Sequence, residues 1–186
     1  MLFCMRLFIA VDLSDAARAW ALERRNEFQA RWPESGLRWT SMEQWHVTLQ
    51  FLGDCSERQL LPIQAAMKHA VAGVTPFSIT FGKPGLFSGP RMGVLWLGVE
   101  SGSETLTELV SSLRESLQAA GFKKEKQPYR GHLTLARSRT KIPSHVLRLL
   151  PPSSPCPEIP ISSMTLYRST LDSTGARYDV VYRLCF

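Results

Sequence analysis

The pattern His-x-Thr-Leu occurs twice in this chain, at residues 46–49 and 132–135, which are 86 positions apart. The chain has only four histidines, so finding two of them in one repeated pattern calls for a common cause. Alternating apolar residues around both copies predict strands at 45–52 and 131–136. Residues two apart on a strand share a face, so His46 projects with Thr48, and His132 with Thr134.

A single pattern of this kind usually marks a histidine that serves only the structure of its strand, since short motifs give many false positives. Two matched copies favour a function, because a purely structural explanation would have to apply separately to the same polar pair on both strands. The other two histidines, His69 and His145, lie in helix-like or loop segments without a threonine partner. We predict that these two are surface residues.

Composition indicates a globular protein whose charge is compatible with an anionic ligand. A chain of 186 residues can bury one core or two small lobes. The chain has 44% hydrophobic and 20% charged residues, a composition typical of a folded protein rather than a disordered one. The net charge of +6 suits an anionic ligand.

The cysteines and the N-terminus predict a reduced, cytoplasmic protein. The four cysteines show no Cys-x-x-Cys motif, no spacing suited to zinc and a density too low for a disulfide framework. The apolar run at residues 7–11 is too short for a signal peptide or a membrane span, and Met5 offers a second start. We expect a monomer that does not interact with membranes.

Periodicity and capping residues predict three helices, at residues 14–32, 57–71 and 103–120, the last closed by Gly121. Strands are predicted at residues 6–12, 37–40, 45–52, 76–81, 93–99, 131–136, 161–168 and 178–184. The Gly/Pro-rich residues 82–91 and the Pro-rich residues 151–160 are predicted to be connections.

Shifting the first half by 86 positions superposes a strand, a long helix and the His-x-Thr strand on the same elements of the second half. This order predicts an internal duplication within one two-lobed domain over residues 1–186, with one motif in each lobe. If a pseudo-twofold axis relates the lobes, the two His-Thr faces confront each other across a cleft. A single continuous sheet is the alternative.

Two histidines and two hydroxyls suit phosphodiester cleavage. One neutral imidazole can act as base while a protonated one acts as acid, because histidine titrates near neutrality. The hydroxyls can donate to the non-bridging oxygens of a phosphate. A metal site is not predicted, because the histidines lie on separate strands without acidic or cysteine partners at close spacing.

These residues carry a family resemblance, in Arg-Leu-Phe-Ile-Ala-Val at 6–11 and in residues 46–53, 132–137 and 166–169. The chain resembles the two-histidine phosphoesterases, and among them the bacterial and archaeal RNA 2′,3′-cyclic phosphodiesterases once described as 2′,5′ RNA ligases. The resemblance runs nearly end to end. One departure is Gly131, where the family more often has proline before the histidine.

The resemblance implies an α+β, bilobal fold in which two pseudo-symmetric lobes place antiparallel sheets around a central cleft, with helices on the outside. It implies hydrolysis of an RNA or nucleoside 2′,3′-cyclic phosphate to the 2′-phosphate, with neither metal nor cofactor. By the same resemblance, His46 and His132 are the acid–base pair, Thr48 and Thr134 hold the phosphate, and Arg137 adds a positive charge.

Strand parity places Arg137 on the face opposite His132 and Thr134, so either the strand bulges or ends near Ala136, or Arg137 is not a phosphate ligand. The candidates for contact with a base or with RNA are Phe8, Tyr129, Arg130 and Tyr167. Core packing is the alternative for the aromatic members of this set. Gln50 is a candidate hydrogen-bond donor at the rim. Basic residues around the second motif follow an RNA backbone or form a solvated loop: Lys123, Lys124, Lys126, Arg130, Arg137, Arg139 and Lys141.

Two other functions stay open. One is reversible 2′,5′ RNA joining, in which a ribose hydroxyl replaces water in the same chemistry. The other is a nucleotide- or RNA-binding module without turnover, which two titrating groups argue against. Which histidine is the base is left undecided by the sequence.

Overall fold

The computed structural model describes residues 4–33, 36–149, 155–172 and 175–186. Its helices are α1 (Asp15–Arg31), α2 (Leu60–Ala70) and α3 (Ser103–Ala119). Its strands are β1 (Cys4–Asp12), β2 (Arg38–Trp39), β3 (His46–Ser56), β4 (Phe77–Ile79), β5 (Phe81–Gly89), β6 (Met92–Val99), β7 (His132–Ser138), β8 (Ile159–Ile161), β9 (Ser163–Asp172) and β10 (Gly175–Cys185). Within the described ranges, no helix has the length and apolar character needed to cross a bilayer.

The three predicted helices are confirmed, and their ends follow from local chemistry. The Ser14 hydroxyl accepts a hydrogen bond from the Ala17 amide at 3.3 Å and so caps α1. Helix α3 is followed by Gly121 at φ +88°, a left-handed conformation that glycine adopts without steric cost. Helix α2 begins at Leu60, three residues later than predicted, because residues 57–59 form a 3₁₀ turn closed by a capping box between Ser56 and Gln59.

The strands form an antiparallel sheet in the order β10-β9-β1-β3-β7-β6-β5, with β2 added beside β7. A separate pair joins β4 to β8. Every strand pair within the described residues is antiparallel, and three helices accompany them. The predicted α+β class with antiparallel sheets is therefore confirmed.

The Gly/Pro-rich segment at residues 82–91 was predicted to be a connection, and this prediction is wrong. Most of it is β5, which pairs with β6 and forms one edge of the sheet. Pro84 fits there because an edge strand has one row of amides without a partner strand, so the lost N–H is tolerated. The Pro-rich segment ends in a strand as well, since Ile159 and Pro160 belong to β8. Residues 150–154, which include part of that predicted loop, lie outside the described residues.

The two halves meet at the centre of the sheet, where Val47 of β3 pairs with Leu133 of β7. The two motifs thus lie side by side on neighbouring strands of one continuous sheet, which is the alternative that the sequence left open. Strand pairing also repeats with the 86-residue offset. Ala10 pairs with Thr48 as Trp96 pairs with Thr134. The repeated register supports the internal duplication, which stays a prediction.

One face of the central strands is buried against the helices. Val47, Leu49, Leu133 and Leu135 are all at most 1% exposed and share one apolar cluster with side chains of all three helices. The residues between them, including the motif histidines and threonines, point to the other face and are only partly buried. The core thus packs against both motif strands on the face opposite the motif histidines and threonines.

We expect Leu133→Ala to lower the free energy of unfolding by about 2–5 kcal/mol, because it leaves a cavity under the residue pair that joins the two central strands β3 and β7. Leu61→Ala is the matched control, since Leu61 is 75% exposed and its truncation should change stability by less than about 0.5 kcal/mol. Urea unfolding followed by fluorescence measures both. Equal stability of the two variants would contradict the central position of Leu133 in the core.

Candidate active site

Four motif side chains line one cavity of about 150 Å³ on the open face of the sheet. Because β3 and β7 are antiparallel and pair at Val47 and Leu133, the chain runs through the two motifs in opposite directions. His46 and Thr48 line this cavity from β3, and His132 and Thr134 line it from β7. The structure therefore brings together the four residues that the sequence singled out.

Both imidazoles are held by a backbone carbonyl two residues earlier in the chain. His132 Nδ1 lies 2.8 Å from the Arg130 carbonyl oxygen. Since a carbonyl only accepts, Nδ1 carries the hydrogen, which leaves Nε2 as the acceptor of the neutral ring. The Gln44 backbone makes the corresponding bond to His46. His46 Nε2 lies 3.1 Å from Thr48 Oγ1, so this nitrogen adjoins the motif hydroxyl.

A β-bulge resolves the parity of Arg137. Leu95 pairs with Ala136, but its neighbour Trp96 pairs with Thr134, so Leu135 has no partner across the strand. Leu135 and Ala136 are both fully buried, and Arg137 returns to the face of Thr134 and lines the cavity. Of the alternatives that parity left open, the structure has the bulge.

The same bulge recurs in the first half at Leu49, 86 residues earlier, between the pairs that Ile9 and Ala10 make with β3. A side-chain hydroxyl supports the backbone at each bulge. Thr40 Oγ1 lies 2.8 Å from the Thr134 carbonyl, and the Tyr129 hydroxyl donates to the Thr48 carbonyl at 3.1 Å. These bonds use the backbone carbonyls of the two motif threonines and so stabilise both bulges.

Each histidine packs against aromatic rings. The His46 ring centroid lies 4.7 Å from that of Phe8 and 5.1 Å from that of Tyr178. The His132 ring meets Phe87 edge-on at 5.0 Å. Both side chains are therefore partly shielded from water, and both remain accessible from the cavity.

Burial lowers the pKa of both histidines, because it disfavours the charged imidazolium. The pKa of His46 falls to about 4, with Arg137 and His132 lowering it further and the Gln44 backbone and Asp12 opposing the fall. For His132 the charges of Arg137 and Arg130 add to the effect of burial. Without a bound anion, both rings are neutral at neutral pH.

Asp12 lies beside His46, on the adjacent strand β1. Its carboxylate accepts hydrogen bonds from the Tyr167 hydroxyl, from Thr165 Oγ1 at 3.1 Å and from Arg183 Nη2 at 3.1 Å. Burial and the bond to Asp12 raise the pKa of Tyr167 to about 12, so this phenol stays protonated and donating. The network holds the Asp12 carboxylate next to the His46 ring, where it raises the pKa of that ring against the effect of burial.

The remaining predicted residues lie in several different environments. Phe8 is only 4% exposed and packs between His46 and Tyr167, so its ring offers little surface to a base. The Tyr167 hydroxyl is bound to Asp12. Tyr129 and Arg130 line a groove next to the cavity, as does Gln50. His69 and His145 are exposed, as predicted.

Sequence analysis missed several residues that line the cavity, among them Arg38, Gln44 and Tyr178. Arg38 lies directly opposite Arg137 on paired strands, where two like charges repel. A positive charge inside the predicted strand at residues 37–40 was the available signal. Tyr178 comes from β10, and no local pattern connects it to the motifs.

Comparison with known proteins identifies the family of this chain. The profile of the 2'-5' RNA ligase superfamily matches residues 14–172. An RNA 2',3'-cyclic phosphodiesterase of Thermotoga maritima is 33% identical, with 98% of this chain and 96% of that protein covered. A protein of the same name from Archaeoglobus fulgidus is 35% identical over 75% of this chain and 76% of its own length.

Solved structures agree on the fold. The crystal structure of E. coli LigT complexed with 3'-AMP superposes with a TM-score of 0.78 at 24% identity, covering 98% of each chain. Within the described residues, no three His, Cys, Asp or Glu side chains come together as a metal-binding group. The profile spans most of the chain and the Thermotoga maritima relative matches the chain nearly end to end, so the chain belongs to the 2'-5' RNA ligase superfamily.

Proposed function

We propose that this protein hydrolyses the 2′,3′-cyclic phosphate of an RNA end or a nucleoside to the 2′-phosphomonoester, without a metal ion or cofactor. The observation that carries the proposal is the convergence of His46, Thr48, His132 and Thr134 on one cavity that Arg137 also lines. The relatives named RNA 2',3'-cyclic phosphodiesterase support the reaction. Our proposal keeps the expectation of a monomeric, cytoplasmic protein.

The two imidazoles supply the base and the acid. One neutral Nε2 accepts a proton from water as the water oxygen bonds to phosphorus. The other imidazole, protonated, donates its proton to O3′ as the bond between phosphorus and O3′ breaks. The phosphate stays on O2′, and each histidine ends in the protonation state in which the other began. Backbone anchoring of the rings keeps both nitrogens aimed at the cavity.

Thr48, Thr134 and Arg137 stabilise the phosphate as charge builds on its non-bridging oxygens. Arg38 strengthens this part of the site. The repulsion between Arg38 and Arg137 on paired strands is relieved when an anion lies between them, so the site favours a bound phosphate. Tyr129 and Arg130 lie next to His132 and are our candidates for contact with the terminal nucleotide.

A bound anion also completes the protonation of the site. Burial keeps both histidines neutral in the free protein, which suits a base but not an acid. The negative phosphate favours the imidazolium form and raises the pKa of both rings, so one of them gains its proton with the substrate. We infer that substrate binding and loading of the acid are coupled.

We expect the His46 ring in the free protein to titrate with a pKa of about 4, well below the ordinary value for histidine. Its folded pKa is depressed, so the unfolded chain binds more protons below pH 6.5 and stability declines as the pH falls towards 4. Titration of the imidazole resonances by NMR measures the pKa, and inorganic phosphate should raise it. A His46 pKa at or above 6.5 without ligand would contradict the burial of this ring.

The central test incubates the protein with a nucleoside 2′,3′-cyclic phosphate in the presence of EDTA and identifies the product isomer. We expect turnover to the 2′-phosphate to persist in the chelator. His46→Ala and His132→Ala should each lower the rate by about 10²- to 10⁴-fold, with effects far from additive in the double variant. His69→Ala is the matched control. Near-normal turnover of either motif variant, or activity that a divalent metal restores after EDTA, would reject the mechanism.

We expect Thr48→Val and Thr134→Val each to weaken transition-state stabilisation by about 2–4 kcal/mol, because valine keeps the shape of threonine but removes the donor. Both residues suit a strand, so folding should change little. Steady-state kinetics should show kcat and kcat/KM falling together, whereas a rise in KM alone would indicate ground-state binding. Unchanged kcat in both variants would remove the threonines from the mechanism.

A further inference from the structure

The cleft has two ends along the strand direction. At one end, His46 and Thr134 adjoin the arginines of the cavity already described. At the other end, a second cavity of about 570 Å³ continues past Thr48 and His132. We call this second cavity the distal groove; its lining includes Gln50, Phe51, Phe87, Arg114, Tyr129 and Arg130. Since both cavities share Thr48 and His132, a ligand with its phosphate at the histidines has room to extend into the distal groove.

The internal repeat shows how the distal groove differs from the phosphate end. Phe51 and Arg137 occupy equivalent positions, each two residues beyond the unpaired leucine of its bulge. At the phosphate end this position carries a cation, and in the distal groove it carries an aromatic ring. Phe51 is 49% exposed, with the Arg6 guanidinium 5.0 Å from its ring centroid. The distal groove thus presents a π-face where the other end presents a charge.

Cations lie along the continuation of the distal groove. A third cavity of about 450 Å³ shares Gln50, Phe51 and Arg114 with it and adds Lys123 and Lys124. Asp54 and Glu125 line the same region, so its three cations exceed its acidic residues by one. Arg114 is held in place by bonds of 3.0 Å to the Gln50 side chain and to the Gln127 carbonyl. An exposed aromatic ring beside positioned cations is the arrangement that binds single-stranded nucleic acid, by base stacking and backbone attraction.

We propose that the distal groove binds the penultimate nucleotide of a single-stranded RNA 3′ end, with its base on Phe51 and its 5′-phosphate towards Lys123 and Lys124. The inference rests on the proposed function, because that function places the terminal cyclic phosphate at the histidines. The order along the surface is then terminal phosphate, terminal nucleotide beside Tyr129 and Arg130, and penultimate nucleotide at Phe51. The preferred substrate is an oligonucleotide end rather than a free cyclic mononucleotide.

The test compares a trinucleotide ending in a 2′,3′-cyclic phosphate with the corresponding cyclic mononucleotide. We expect Phe51→Ala to lower kcat/KM for the trinucleotide about tenfold and to leave the mononucleotide unchanged, because only the longer substrate loses a stacked base. Phe51→Tyr should retain the wild-type ratio, and Leu61→Ala, exposed on α2 outside all three cavities, should change neither substrate. An equal effect of Phe51→Ala on both substrates, or no effect on either, overturns the proposal.

A binding measurement separates this proposal from the proposed function. Fluorescence anisotropy with a labelled trinucleotide ending in a 3′-phosphate needs no turnover. We expect Phe51→Ala and the double variant Lys123→Ala/Lys124→Ala to weaken its binding, with the lysine variant also showing a smaller salt dependence. If the wild-type protein fails to open cyclic phosphates, the proposed function falls. If Phe51→Ala binds the trinucleotide as tightly as the wild-type protein does, the proposal for the distal groove is wrong, and the proposed function is unaffected.

Discussion

The pairing of Val47 with Leu133 is the contact on which the site depends. It is the one residue pair assigned between the two central strands, and both side chains are fully buried. Since neighbouring residues on a strand point to opposite faces, burying these two turns their four polar neighbours to the open face. The same hydrophobic contact that joins the two halves therefore assembles the two histidines and two threonines in one cavity.

A repeated bulge makes the two ends of this arrangement differ. The unpaired leucine after each motif shifts the later residues of its strand, so Arg137 and Phe51 come to the polar face at opposite ends of the cleft. The bulge after the motif is the same at both ends, but the side chain two residues beyond it is not. One end holds paired arginines suited to phosphate, and the other holds aromatic rings suited to a base. A repeated backbone with divergent side chains thus yields a cleft that distinguishes the two ends of a ligand.

Burial and charge act against each other at the histidines. Aromatic packing and the nearby arginines favour neutral imidazoles, whereas Asp12 and the backbone carbonyls favour imidazolium. The balance leaves the rings neutral until an anion binds. The groups that attract the phosphate therefore also determine when the acidic histidine becomes protonated. Phosphate affinity and histidine protonation thus depend on the same set of side chains.

The sequence by itself determined the local features of this protein. The doubled motif, the offset of 86 residues, the three helices with their capping residues and the antiparallel α+β class follow from periodicity and turn chemistry, which act over a few residues. Strand parity alone predicted the wrong face for Arg137. The Gly/Pro-rich composition alone predicted a connection at residues 82–91, where the structure has an edge strand that contains Pro84. A bulge is set by pairing with another strand, and an edge strand is set by its place in the sheet. The tertiary structure also brought Arg38, Tyr178 and Phe51 to the cleft, because which distant strands become neighbours depends on the packing of the whole core.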